Sequence, residues 1–197
     1  MKKLLVFDLG GVIVDFNSDI MGKWTGLSSA ALWRRWLKSE AVRGFESGRT
    51  GRHIFAQEIV AEFNLPVSPQ EFLRSYRSWQ VGLYPGAEPL LDSLAPRFTL
   101  ACLSNTNEII WTDTIHELGI DRLFTYRFAS YEMGCLKPDA EAYAYLVREV
   151  PFSRDEIIFF DDNPSNVEAA QAFGIDAYVA QGPEQAQETL LSLKLLG

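Results

Sequence analysis

The chain has 197 residues, 47% of them hydrophobic, and its 26 acidic side chains outweigh 18 basic ones for a formal net charge of −8. That balance excludes the clustered positive surface a nucleic-acid binder needs. No stretch approaches the roughly 20 apolar residues of a membrane span, and the length suits a core domain with a smaller insertion.

The start, Met1-Lys2-Lys3, is basic and then apolar in the manner of a signal peptide. The apolar run, Leu4 to Phe7, is interrupted by Asp8, well short of a secretory segment of roughly 7–15 residues. A cytoplasmic protein is expected, with Cys102 and Cys135 as reduced thiols. Leu4–Phe7 reads as a buried parallel strand that ends in a carboxylate and the glycine turn Gly10-Gly11.

From about Phe16 to Leu83 the pattern is helical only. Leu32, Trp33, Trp36 and Leu37 form one stripe; Ile54, Phe55, Ile59, Val60 and Phe63 form a second; Phe72, Tyr76 and Trp79 form a third, with Ser68 as its N-cap. Beyond it, apolar runs at Phe98–Leu103, Tyr126–Ala129, Ile157–Phe160 and Ala177–Val179 alternate with helical patterns at Pro85–Leu94, Glu108–Leu118, Ala140–Val150 and Asn163–Phe173. A terminal helix is expected after Gly182. Strand–helix alternation with short links predicts an α/β fold: a doubly wound parallel, Rossmann-like sheet of residues 1–15 and 84–197. A small helical-bundle cap domain, residues 16–83, is inserted after the first strand and placed as a lid over the strand ends.

The chemistry gathers where strands end. In open α/β sheets, ligands bind just outside the carboxyl ends of the strands. Asp8 follows the first run, Ser104-Asn105 the second and Asp161-Asp162 a later one, while Lys137-Pro138 lies in a loop between. Carboxylates, a hydroxyl, an amide and an ammonium together suit a phosphate and a divalent cation. Asp8 alone is an ordinary turn residue, Ser104 or Thr106 an ordinary helix cap, and Asp162 an ordinary cap of the next helix. Two adjacent acids after an apolar run are costly to hold together without a cation.

In order and spacing, Asp8-Leu9-Gly10-Gly11-Val12, Ser104-Asn105, Lys137-Pro138 and Asp161-Asp162 resemble the haloacid dehalogenase (HAD) superfamily, and the helical insertion is similar to its first class of cap. Within it, the forms Ser104-Asn105-Thr106-Asn107 and Phe159-Phe160-Asp161-Asp162-Asn163 resemble the bacterial α-D-glucose-1-phosphate phosphatases. The resemblance implies a Mg²⁺-dependent phosphatase with a small phosphorylated substrate, such as a hexose 1-phosphate. It implies Asp8 as nucleophile, forming an aspartyl-phosphate, and Lys137 as the charge that holds both Asp8 and phosphate. Ser104, Asn105 and Gly10 fall on phosphate-binding positions. Asp8, the Gly10 carbonyl and Asp162 fall on metal-ligand positions, with Asp161 as a further ligand or as a partner behind it; Asn166 matches the position that follows. The segment Arg43-Gly44-Phe45-Glu46-Ser47-Gly48 resembles the part of the cap that faces the site, which makes Arg43 or Glu46 a candidate substrate contact.

One departure matters. Superfamily phosphatases carry an aspartate two residues after the nucleophile as general acid and base, and here that residue is Gly10. Losing such a group costs roughly 10²–10⁴-fold in rate. His53, His116 and Asp15 are weighed as substitutes, and none is assigned. Two other readings stay open: a phosphate- or partner-binding protein that has lost catalysis, and a 2-haloacid dehalogenase, in which the Asp161-Asp162 pair has no purpose. A monomer and a homodimer are both compatible with the sequence.

Overall fold

The computed structural model describes residues 3–16 and 19–196; Met1 and Lys2, on which the signal-peptide comparison partly rests, lie outside the described residues. In chain order, β1 (Leu4–Phe7) and β2 (Val14–Phe16) precede α1 (Asp19–Thr25), α2 (Ser29–Trp36), α3 (Glu40–Glu46), α4 (Arg52–Glu62) and α5 (Pro69–Tyr76). Then come β3 (Gln80–Leu83), α6 (Ala87–Leu94), β4 (Thr99–Ser104), α7 (Glu108–Ile110) running into a π-helix (Trp111–His116), and a 3-10 turn (Ile120–Leu123). The remainder is β5 (Tyr126–Ala129), α8 (Ser130–Met133), α9 (Ala140–Glu149), β6 (Ile157–Asp161), α10 (Pro164–Ala172), β7 (Asp176–Val179) and α11 (Gly182–Ser192).

The main sheet has the order β5-β4-β1-β6-β7 and every pairing in it is parallel. Its central strands β1, β4 and β6 are buried on both faces because both faces are covered. Leu5, Phe7, Leu100, Cys102, Ile158 and Phe160 join a core with α6 and α11; Leu4, Val6, Ala101, Leu103, Ile157 and Phe159 join another with α9 and α10. β1 leads toward β4 on one side, and β6 leads to β7 on the other. The boundary between β1 and β6 is therefore the topological switch point, where an open sheet leaves a crevice. Phe7 pairs with Phe160 across it, so Asp8 stands level with Asp161.

Local signals explain several ends. Ser68 and Glu71 form a capping box on α5. Asn163 caps α10, Pro164 takes its first turn, and Gly174 at φ 91° follows its end. Asn163 takes the capping role weighed for Asp162, and Asn107, accepting from the Ile110 N–H at 3.2 Å, takes the one weighed for Ser104 and Thr106.

Three expectations are corrected. The 16–83 interval is not helical throughout: β2 and β3 pair antiparallel at its root, with a bulge between Asp15 and Phe16. Strands of three and four residues leave no periodic trace in sequence, and the chain must return before they can pair. The Glu108–Leu118 pattern is not one α-helix, since the π-helix takes over at Trp111. Leu37 and Ile54, placed on buried stripes, are 61% and 52% exposed. The interior of the bundle is instead aromatic: Trp36 lies within 6.2 Å, centroid to centroid, of Phe55, Phe63, Tyr76 and Trp79, and Phe45 stacks on Phe55 at 4.3 Å.

Candidate active site

Asp8 leaves the end of β1 with its N–H donating to the Phe160 carbonyl at 2.8 Å, which locks it against β6. Its Oδ1 accepts from the Leu9 N–H at 2.7 Å. Lys137 is 2% exposed and lies between two carboxylates, with Nζ 3.1 Å from Asp8 Oδ2 and 2.6 Å from Asp161 Oδ2. Burial works against the Lys137 charge, but Asp161 and Asp8 outweigh it and hold the ammonium above the usual lysine range. Burial pushes the Asp8 carboxyl well above its ordinary value, and Lys137 opposes that while Asp161 and Asp162 reinforce it. Burial, aided by Asp161, pushes Asp162 up to about 6.

The two adjacent acids have different surroundings. Asp161 is fully buried and its oxygens are occupied: Oδ1 accepts from Asn163 N–H and Asn166 Nδ2, and Oδ2 from Asn166 Nδ2 and Lys137 Nζ. Asp162 is half-buried and close to Gly11, where an added Cβ would sit 2.4 Å from Asp162 Oδ2. Gly11 also has φ 76°, so the turn's requirement for glycine lies at position 11. Asp8, Asp161 and Asp162 each offer a ligand oxygen within 4.8 Å of the others.

Ser104 is buried at the end of β4, as its motif predicted. Asn105, the next residue, is tied to the segment that carries Lys137. Its side-chain amide donates to the Lys137 carbonyl at 2.8 Å and accepts from the Lys137 N–H at 2.9 Å. A side chain used at both ends to hold the lysine's backbone positions the ammonium. Arg43 is likewise engaged, with Nη2 2.8 Å from Asp139 Oδ2, two residues beyond Lys137. The ion pair spans α3 and the loop before α9, and so ties the helical insertion to the sheet. His116 lies in the π-helix, its Nδ1 3.0 Å from Asp121 Oδ2, and His53 is exposed on α4.

Some contributors carry no sequence motif. Ser130, directly after β5, accepts from the Thr106 N–H at 2.8 Å and donates toward the carbonyls of Glu46 at 2.6 Å and Thr106 at 2.9 Å. One hydroxyl thus joins the loop after β4 to the end of α3. Its place at another strand end was the available signal. Tyr76, assigned from sequence to an aromatic stripe, accepts from Asn107 Nδ2 at 2.8 Å. At Gly48, φ is 69° and a Cβ would meet the Tyr131 carbonyl oxygen at 2.4 Å, so the insertion closes on α8 at backbone distance. Arg52 adds an ion pair to Glu108 at 2.8 Å.

Residues 2–174 match the family model for haloacid dehalogenase-like hydrolases. The sesquiterpene phosphatase astK of Aspergillus oryzae is 31% identical over 179 residues, which span 88% of this chain and 87% of that protein. A phosphoglycolate phosphatase of Pseudomonas syringae pv. tomato is 26% identical over 189 residues, 89% of this chain and 68% of that one. Among solved structures, a HAD-like family hydrolase from Porphyromonas gingivalis aligns over 100% of both chains with a TM-score of 0.80 at 25% identity. A HAD family enzyme from Bacteroides thetaiotaomicron, in complex with magnesium and inorganic phosphate, shares the fold with a TM-score of 0.73 at 23% identity over 91% of this chain and 94% of that one.

Proposed function

The chain belongs to the haloacid dehalogenase-like hydrolases, and from that premise we propose that it is a Mg²⁺-dependent phosphatase working through an aspartyl-phosphate on Asp8. The carrying observation is the triad at the switch point: a buried ammonium 3.1 Å from Asp8 and 2.6 Å from Asp161, with Asp162 completing the acid cluster.

The donor set suits a hard cation, which prefers oxygen ligands. Asp161 is already saturated by Lys137, Asn163 and Asn166, so Asp8, Asp162 and the Gly10 carbonyl are the groups that would hold Mg²⁺. When bound, the ion neutralises charge between the carboxylate and the phosphate dianion. The protein's own groups do the rest. The Asp8 carboxylate bonds to phosphorus as the leaving oxygen departs. Lys137 holds Asp8 in line and offsets negative charge spread over the phosphoryl oxygens. Ser104 and the N–H groups that follow it bind those oxygens, and Asn105 keeps the lysine in place. Residues 16–83 serve as a cap that closes over the core of 1–15 and 84–197 through the Arg43–Asp139, Arg52–Glu108 and Ser130–Glu46 contacts, limiting water at the reacting centre.

The substrate we favour is a small phosphorylated metabolite, in particular a sugar phosphate such as a hexose 1-phosphate. The named relatives act on a sesquiterpene phosphate and on phosphoglycolate, so the phosphoryl end is the common element. The motif forms around Ser104 and Asp161, together with the polar Arg43–Gly48 segment over the cleft, support a hydroxylated substrate. Gly10 favours one competing reading, a phosphate-binding protein without turnover. Hydrolysis of p-nitrophenyl phosphate separates the two, because that leaving group barely needs a proton. Turnover that requires Mg²⁺ and disappears in Asp8→Asn supports the phosphatase. Phosphate binding without turnover supports the binder. A free-phosphate screen of hexose 1-phosphates, hexose 6-phosphates and phosphoglycolate then tests the substrate.

A further inference from the structure

Resting on the phosphatase reading, we propose that Glu46, carried over the cleft by the end of α3, is the acid and base that Gly10 cannot be. Three features place the end of α3 there. Phe45, its neighbour, is 2% exposed and stacks on Phe55 inside the bundle, so the next side chain along the helix turns away from that interior. The Glu46 carbonyl accepts from Ser130, the hydroxyl that also bonds Thr106 in the loop after β4. The end of α3 is therefore one hydroxyl away from the loop that receives phosphate oxygens. Tyr76 of the bundle, whose hydroxyl accepts from Asn107 in the loop after β4, ties the insertion to that same loop.

Its surroundings suit proton transfer. Among the described residues, no side chain hydrogen-bonds or ion-pairs with the Glu46 carboxyl; Arg43, one turn back on α3, is engaged by Asp139 instead. Burial pushes its pKa up to about 7 against the opposing charges of Lys137 and Arg43, so the protonated and ionised forms are both populated near neutral pH.

The step balances. As the Asp8 carboxylate bonds to phosphorus and the bond from phosphorus to the leaving oxygen breaks, the Glu46 proton passes to that oxygen and the alcohol leaves. In the second half, water gives a proton to the Glu46 carboxylate as its oxygen bonds to phosphorus. The Asp8–phosphorus bond then breaks, which frees inorganic phosphate and restores both carboxyls.

The test compares kcat/KM on an alkyl ester, glycerol 2-phosphate, with that on p-nitrophenyl phosphate at saturating Mg²⁺. It uses wild type, Glu46→Gln and Glu46→Asp. The expected result is a loss of about 10²–10⁴-fold on the alkyl ester in Glu46→Gln and a loss of less than about tenfold on the nitrophenyl ester. Glu46→Asp recovers part of the alkyl activity. In wild type, kcat/KM on the alkyl ester falls above about pH 7, and that limb is missing in Glu46→Gln. Equal losses on both esters, or no loss on either, overturn the assignment. So does a wild-type alkyl profile that stays flat above pH 7, a readout that does not depend on how any variant folds. A wild type inert toward p-nitrophenyl phosphate with Mg²⁺ removes the phosphatase reading itself. An active wild type with an unchanged ester ratio in Glu46→Gln removes only the proton donor.

Discussion

Replacing Lys137 by Met keeps the stem of the side chain and deletes its charge, which exposes what the ammonium does for the fold. Lys137 is 2% exposed and Asp161 is fully buried, with Asp8 close behind at 9%. Without Nζ, two carboxylates that now share one cation face each other across the β1–β6 boundary. Removing one partner of a buried ion pair costs about 3–5 kcal/mol, because the other charge stays buried without compensation. With an m-value near 2 kcal/mol/M, that moves the urea midpoint down by about 1.5–2.5 M. The pH dependence has a definite sign. Without the lysine, the folded-state pKa of Asp8, already held above its ordinary value by burial, rises further. Stability in the variant is therefore greatest at low pH and is lost as pH rises through that raised folded value. Urea melts of both proteins in EDTA, at pH 5 and pH 7.5, measure this; the gap between them should be several-fold larger at pH 7.5. Adding Mg²⁺ at pH 7.5 should recover part of the loss, since it returns a positive charge to the same carboxylates. A midpoint for Lys137→Met within about 0.3 M of wild type at pH 7.5 would refute the reasoning.

Asn105→Ala removes both bonds to the Lys137 backbone and should lower kcat/KM on p-nitrophenyl phosphate by about 10–100-fold, the range seen when groups that orient a functional ligand are deleted; unchanged kinetics would mean that Pro138 and the ion pairs position the lysine alone. Gly48→Ala meets the Tyr131 carbonyl at 2.4 Å with φ 69°, so it should destabilise the protein by about 1–3 kcal/mol in thermal or urea melts and loosen the closure over the site. Half-saturation by Mg²⁺ should rise as pH falls through about 6, where protons compete for Asp162; activity titrations at pH 5.5, 6.5 and 7.5 check this, and a constant half-saturation would remove Asp162 from the ligand set. Asp8→Asn should remove turnover while leaving the melting temperature at or above the wild-type value, because it relieves a buried like-charge cluster.

The core strands were legible because a parallel sheet covered on both faces leaves a local signature: short apolar runs such as Leu4–Phe7 and Ile157–Phe160, each followed by a polar motif. The acids and the lysine were readable for the same reason, since each marks the end of one such run or a loop between them. Residue order could not show that Asp161 is saturated while Asp162 is not, because Lys137, Asn163 and Asn166 converge on Asp161 from separate segments. Nor could it show that the Asn105 amide grips Lys137, 32 residues away. Leu37 and Ile54 suited a helical stripe, yet aromatic rings from Phe45, Phe55, Phe72 and Tyr76 occupy the bundle interior and leave those two in solvent. Glu46 was readable in sequence as a candidate substrate contact in a segment that resembles the site-facing part of the cap; that the end of α3 docks on Ser130, 84 residues along the chain, was not. Periodicity and strand-end chemistry act within a few residues, so they can be read along the chain. Partnership between charges depends on which segments fold against one another, and only the packed molecule decides that.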